Sequence, residues 1–162
     1  MIPKARARKP VAPMQYAVAQ LARREYSRAD LRSKLLRHLG EITDRDEAVA
    51  QVEKILDQLQ ANGLLSEARF AAALTRTRAN RFGAARVRLE MRQHELPDEI
   101  VRPAIEELKA TEEQRARDLW KRRFGHPPAD PTERARQMRF LAQRGFSTAV
   151  VLRVVRSSTA EE

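Results

Sequence analysis

Cysteine is absent from the 162 residues, which removes disulfide scaffolds, thiolate zinc sites and thiol nucleophiles from consideration. Glycine occurs only five times, and no glycine-rich phosphate cradle is among them. Aromatic residues make up 5% of the chain. Two of them, Tyr16 and Trp120, lie on apolar stripes and read as core rather than as stacking platforms. No apolar run approaches the ~20 residues that a membrane span needs. The first ten residues are basic but lack an apolar signal core behind them. These absences point to a soluble, cytoplasmic protein.

Catalytic groups are equally scarce. His38, His94 and His126 lie far apart in the sequence, with no His-x3-His pair. Glu106-Glu107 and Glu112-Glu113 sit in a charge-dense helical run and read as solvated faces. The serines fall at helix starts or in the C-terminal tail, without a histidine in a useful context. No enzyme, metal site or cofactor is expected.

Charge, by contrast, is plentiful. Lysine and arginine total 32 against 22 acids, a net charge of +10, while 42% of residues are hydrophobic. That apolar share suffices for cores. The sign alternates along the chain: +8 over residues 1–40, −4 over 41–70, +5 over 71–93, −5 over 94–113, +8 over 114–156 and −2 at the end. Such alternation fits an array of small modules, although ordinary solvated helix faces can produce it too.

Helical periodicity dominates. Val49, Val52, Ile55, Leu56 and Leu59 follow the three-four spacing of one buried stripe, and Leu31, Leu35 and Leu39 form another. Ser27 with Asp30 forms a capped start, and Ser66, Thr43, Ser147 and Pro131-Thr132 mark further starts. Gly40 and Gly63 mark stops. The pattern predicts nine helices at roughly 14–24, 28–39, 45–61, 67–79, 84–94, 98–109, 112–124, 132–144 and 148–156, with Pro103 expected to kink the sixth. No alternating strand pattern occurs. The expected fold class is all-α.

A short frame of helix end, apolar residue and helix start recurs at 59–66, 91–98 and 141–148. After it, Ile100, Val101, Ala104 and Ile105 match Val150, Val151, Val154 and Val155. The chain is therefore expected to hold a flexible basic arm at 1–12, three-helix repeats at 13–65, 66–110 and 111–156, and a frayed tail at 157–162. Together the repeats would form an elongated, curved tandem array.

The basic residues remain as candidates for binding an anionic surface. Arginine dominates over lysine, which suits bidentate contact with carboxylate or phosphate. Arg23, Arg24, Arg76, Arg78 and Arg81 lie near helix ends, and Arg88 with Arg92 and Arg117 with Lys121 are each one turn apart. Lys34, Arg37 and Arg122 complete the candidate set. Arg88 and Arg92 are expected to be exposed together in the central module, and to matter more than Arg6 and Arg8 in the arm.

Three blocks carry a family resemblance. Residues 21–35, LARREYSRADLRSKL, resemble the opening signature of the RecX family, bacterial regulators of the RecA recombinase. Gly63-Leu64-Leu65-Ser66-Glu67-Ala68-Arg69-Phe70-Ala71 is similar to its second block, and residues 83–91, GAARVRLEM, to its third. The resemblance covers about 14–110 by motif and 111–156 by helix pattern. Asp30 stands where the family usually has glutamate. Glu95 replaces a usual glycine before Leu96, so that helix is expected to end without its left-handed cap. The resemblance implies tandem three-helix repeats that bind the groove of the RecA–DNA filament. There they would touch RecA and the DNA backbone and damp recombination, ATP hydrolysis and repressor cleavage, and with them DNA repair and the SOS response. A monomer is expected. The alternative is a sequence-nonspecific nucleic-acid-binding protein built from helix-turn-helix-like units.

Overall fold

A computed structural model of the chain describes residues 10–40 and 44–158. Among these residues every regular element is helical: α1 (Pro13–Leu21), α2 (Arg28–Leu39), α3 (Arg45–Ala61), α4 (Glu67–Arg78), α5 (Ala84–Gln93), α6 (Asp98–Ala110), α7 (Glu112–Arg123), α8 (Pro131–Gln143) and α9 (Thr148–Ser157). All but α1 lie within a residue of the expected spans. α1 stops at Leu21, and Arg23 and Arg24 fall in the turn that follows. Arg6 and Arg8 of the expected arm, and Thr43, lie outside the described residues. α3 is capped instead by Asp44, whose carboxylate accepts from the Asp46 and Glu47 amides at 2.9 and 3.4 Å. The expected fraying does not begin at 157: Ser158 is buried and its hydroxyl donates to the Val155 carbonyl at 2.7 Å.

The chain divides into two compact units, the first ending at Ser66 and the second beginning at Glu67. The first contains α1–α3 around Ala17, Tyr26, Leu31, Leu35, Val52, Ile55, Leu56, Leu59 and Leu65. The Ser27 hydroxyl accepts from the Asp30 amide at 3.0 Å, so α2 starts where its cap says. Its leucines at four-residue spacing then face α3. Arg28 and Arg32 of α2 close the same contact from the solvent side. Arg28 reaches Glu53 at 2.7 Å and Asp57 at 2.8 Å, and Arg32 reaches Glu53 at 2.5 Å.

The second unit holds two hydrophobic clusters. One uses α4–α6 and includes Phe70, Leu74, Val87, Met91, Leu96, Val101, Ile105 and Leu108. The other uses α7–α9 and includes Leu119, Trp120, Leu141, Phe146, Val150, Val151, Val154 and Val155. Trp120 is core as expected, and its indole N–H donates to the Gln137 side chain at 2.8 Å, which satisfies both buried polar groups. α6 runs through Pro103 without interruption. Pro103 is on the exposed face, so the Glu99 carbonyl deprived of its partner is open to water.

The recurring frame proves to be a helix C-terminal motif. Leu64, Leu96 and Phe146 donate their amides to Leu59, Met91 and Leu141 carbonyls at 2.9, 3.3 and 3.4 Å, five residues back in each case. Two corrections follow. The copy at 59–66 joins α3 to α4, whereas the other two join α5 to α6 and α8 to α9, the second and third helices of their groups. Accordingly Leu64 is exposed and Leu65 is buried, while Leu96 and Phe146 fill the matching place elsewhere. Glu95 also does adopt the left-handed cap, at φ 55°, despite its side chain. The turn geometry is set by the 6→1 bond to Met91 and the burial of Leu96, which outweigh the cost of about 1–2 kcal/mol.

Candidate functional site

The twelve candidate cations divide by what their neighbours do to them. In the second unit, Arg78 at the end of α4 forks onto Glu90 of α5, with Nε 2.8 Å from Oε2 and Nη2 2.7 Å from Oε1. The pair holds the Glu90 carboxyl below its ordinary value, chiefly through these hydrogen bonds. Arg117 donates to the Ser157 hydroxyl at 2.6 Å and lies 3.4 Å from Glu113, which also takes Arg153 at 2.7 Å. Arg122 donates to the Asn80 carbonyl at 2.9 Å. These three arginines tie helices together inside the unit. Lys121, one turn beyond Arg117, is exposed.

Arg76, Arg81 and Arg92 are exposed and make no side-chain hydrogen bond or ion pair among the described residues. Arg88 is half-buried rather than exposed. It lines a cleft of about 210 Å³ with Ala84, Ile105, Lys109, Glu112 and Ser147, so Arg88 and Arg92 do not share one solvent face. The reason is tertiary: the α8–α9 turn packs over the start of α5. A Cβ on Gly83 would stand 2.2 Å from the Gly145 carbonyl oxygen. The Gly83 amide donates to the Arg144 carbonyl at 2.8 Å.

Two residues hold that junction and carried no signal in the sequence. Glu112, expected in a solvated face, is 5% exposed and accepts the Ala84 amide at 2.8 Å, capping α5 from another helix. Arg115 donates to the Ala79, Phe82 and Leu108 carbonyls at 2.8, 2.7 and 2.7 Å. Burial pushes its guanidinium below the ordinary value, with Glu112 acting in the opposite direction.

On the open side of α5 a groove of about 580 Å³ is lined by Arg78, Arg81, Phe82, Arg86, Leu89, Glu90, Gln93 and His94. Leu89 is 58% exposed, the most exposed large apolar side chain among the described residues. Arg86 and Arg92 stand three residues to either side of it on the helix. The Phe82 ring is covered by the guanidiniums of Arg86 and Arg144, 4.9 and 5.6 Å from its centroid. Arg86 and Leu89 were not singled out in the sequence. The signal for Leu89 was present, since it falls off the stripe that places Val87 and Met91 in the core.

In the first unit Arg23 and Arg24 are exposed, and Arg24 lies 4.2 Å from the centroid of the Tyr26 ring. Lys34 lies 5.6 Å from the same centroid. Lys34 and Arg37 line a small cavity with Tyr16 and His38. Tyr16 is half-buried, its ring stacked on His38 at 4.1 Å, so it is less a core residue than expected.

Among the described residues no helix is long and apolar enough to cross a membrane, and no group of three or more His, Asp or Glu could hold a metal ion. Comparison with known proteins adds identity to this geometry. Residues 66–105 match the family model of the second RecX three-helix domain, and residues 111–155 that of the third. The regulatory protein RecX of Leptothrix cholodnii is 48% identical over 145 residues, covering 90% of this chain and 88% of its own. That of Ralstonia nicotianae is 44% identical over 153 residues, covering 94% and 92%. The crystal structure of RecX from Lactobacillus salivarius matches the fold with a TM-score of 0.74 at 18% identity, over 91% of this chain and 95% of that one. With matches of this extent, the chain belongs to the RecX family of regulatory proteins.

Proposed function

We propose that this protein is a non-enzymatic regulator of the RecA recombinase. It binds RecA filaments assembled on DNA and limits recombination, ATP hydrolysis and repressor cleavage, and so modulates DNA repair and the SOS response. It acts in the cytoplasm as a monomer. Family membership supports the regulator reading, and the groove on α5 is the observation that carries the contact with a protein surface. An exposed leucine with Arg81 and Arg86 in the groove, and exposed Arg92 three residues further along α5 outside its lining, offers an apolar anchor with a cationic surround, the composition of a protein-docking patch.

The test is RecA ATPase on single-stranded DNA with the protein titrated in below one-to-one. Inhibition well below equivalence marks an effect on the filament as a whole. The double variant R81E/R92E is expected to weaken that inhibition at least tenfold, about 1.4 kcal/mol, with L89A moving it the same way. Arg88 is left intact because it is half-buried beside the junction. Undiminished inhibition by both variants would remove the α5 groove from the contact. Inhibition that scales only with free DNA sequestered would favour the alternative.

A further inference from the structure

Covering a guanidinium strips water from it, and a fold ordinarily supplies acceptors in exchange. The other arginines at the junction follow that rule. Arg115 is answered by three carbonyls and Arg122 by one. Arg88 is not answered: it is half-buried on α5 and makes no hydrogen bond or ion pair among the described residues. The cleft of about 210 Å³ that it lines lies where the α8–α9 turn crosses the start of α5. Ala84 and Ile105, both buried, and exposed Ala85 give this cleft an aliphatic lining. The acid in its wall is already used, since the Glu112 carboxylate accepts the Ala84 amide at 2.8 Å. Lys109, the second cation, is paired with Glu106 at 3.2 Å. The Ser147 hydroxyl accepts from the Val150 amide at 3.3 Å, which leaves its own proton available to donate. The walls are held in place by the bond from the Gly83 amide to the Arg144 carbonyl at 2.8 Å and by the close approach of Gly83 to Gly145. The space is therefore preformed.

We infer that this cleft binds a small monocarboxylate with a short apolar body, its carboxylate forked by Arg88 and its body against Ala84, Ala85 and Ile105. Charge sets the head group. One free guanidinium matches one planar carboxylate through two parallel bonds, whereas a phosphate dianion brings a second negative charge towards Glu112. Size sets the body. A cavity of ~150 Å³ holds benzene, so about 210 Å³ accepts a single ring or a short alkyl chain together with its carboxylate. An apolar lining with a few convergent polar groups is the usual make-up of a small-molecule site. The occupant bridges α5 and the α8–α9 turn, and so adds a tie between the two helix groups of the second unit. This gives Arg88 a role apart from the proposed contact with RecA, and neither RecA nor DNA enters the test, so the two readings fail separately.

The experiment is a titration of the isotope-labelled full chain with sodium benzoate at constant ionic strength, followed by amide NMR shifts. Saturable shifts are expected at the Ala85, Gly145 and Ser147 amides. R88M should raise the Kd about tenfold or more, because it removes the charged fork and keeps most of the packing. A85L keeps the guanidinium and fills the aliphatic end, so it tests the same cleft should R88M impair folding. It should raise the Kd about fivefold or more. Benzyl alcohol, the neutral analogue, and inorganic phosphate, the anion without an apolar body, should each bind about tenfold more weakly than benzoate at these amides. The inference is overturned if benzoate gives no saturable shift there, if folded R88M or folded A85L binds it as the parent does, or if benzyl alcohol or phosphate matches it.

Discussion

The two units use arginine in different ways, and the difference decides which charges a partner can reach. In the first, acids of α3 neutralise one side of α2 within a single helix pair, and the cations on the other side stay open. In the second, Arg115 and Arg122 are consumed by backbone carbonyls across the junction of α4–α6 with α7–α9, and Arg78 by Glu90. What stays open there is the outward face of α5. A junction between helix groups leaves carbonyls at helix ends without partners, and a five-donor guanidinium answers several at once. A positive count in a segment therefore says little about binding until the internal carbonyls and acids have been assigned.

The largest effect should come from the junction itself. G83A places a methyl carbon where a carbonyl oxygen already lies at 2.2 Å, with backbone rather than flexible side chain on the other side. Urea unfolding of the full chain is expected to show a loss of about 3 kcal/mol in the second unit. G63A is the comparison in the first unit. Its Cβ meets nothing within 4 Å, but φ is 72°, so the loss should be about 1 kcal/mol and conformational in origin. Equal losses would mean that the junction relaxes and that close approach is not what holds it.

Acid should act on both units through their arginine-bound carboxylates. Hydrogen bonds from Arg28 and Arg32 hold Glu53 below the ordinary 4.5, and those from Arg78 do the same to Glu90. A depressed folded-state value means that the stabilisation is present above the ordinary value and is lost as pH falls through the lower one. Unfolding free energy measured from pH 6 to pH 3 should decline below about 4.5. E53Q and E90Q should each flatten part of that decline and cost about 1 kcal/mol or less at neutral pH, since both pairs are partly solvated. A decline unchanged in both variants would show that these pairs do not couple to folding.

The smallest effect has the opposite sign. Glu95 occupies a left-handed position that glycine fills in the matching turn at Gly145. E95G is expected to stabilise the second unit by about 1 kcal/mol, read as a raised urea midpoint with unchanged slope. Destabilisation would mean that the glutamate side chain has a compensating contact.

Much of this molecule could be read before folding because its signals are local. Ser27 caps α2 and Ser147 caps α9 by bonds three residues along the chain, and Asp44 replaces the expected Thr43 by a shift of one. Leucines and valines at three-four spacing put Leu31, Leu35, Val52, Leu56 and Val154 in the cores where the period requires. The site was less legible. Arg81 and Arg92 are open as the helix pattern suggests, yet Arg78, Arg117 and Arg122 read identically and are tied down.

The sequence by itself determined the helix number among the described residues, the ends of every helix but α1 to within a residue, the apolar stripes and the family, since caps and periodicity act within a few residues of chain. Only the tertiary structure decided that Glu112 is buried, that Arg88 is half-covered, that Leu65 rather than Leu64 packs inward and that Glu95 accepts a positive φ. The bonds that hold the junction join residues far apart in the chain, 28 positions for Ala84 with Glu112 and 42 for Asn80 with Arg122. Charge and periodicity are properties of one segment, whereas a partner is a property of two segments brought together. No pattern within a single helix can say which carbonyl or carboxylate will arrive opposite it.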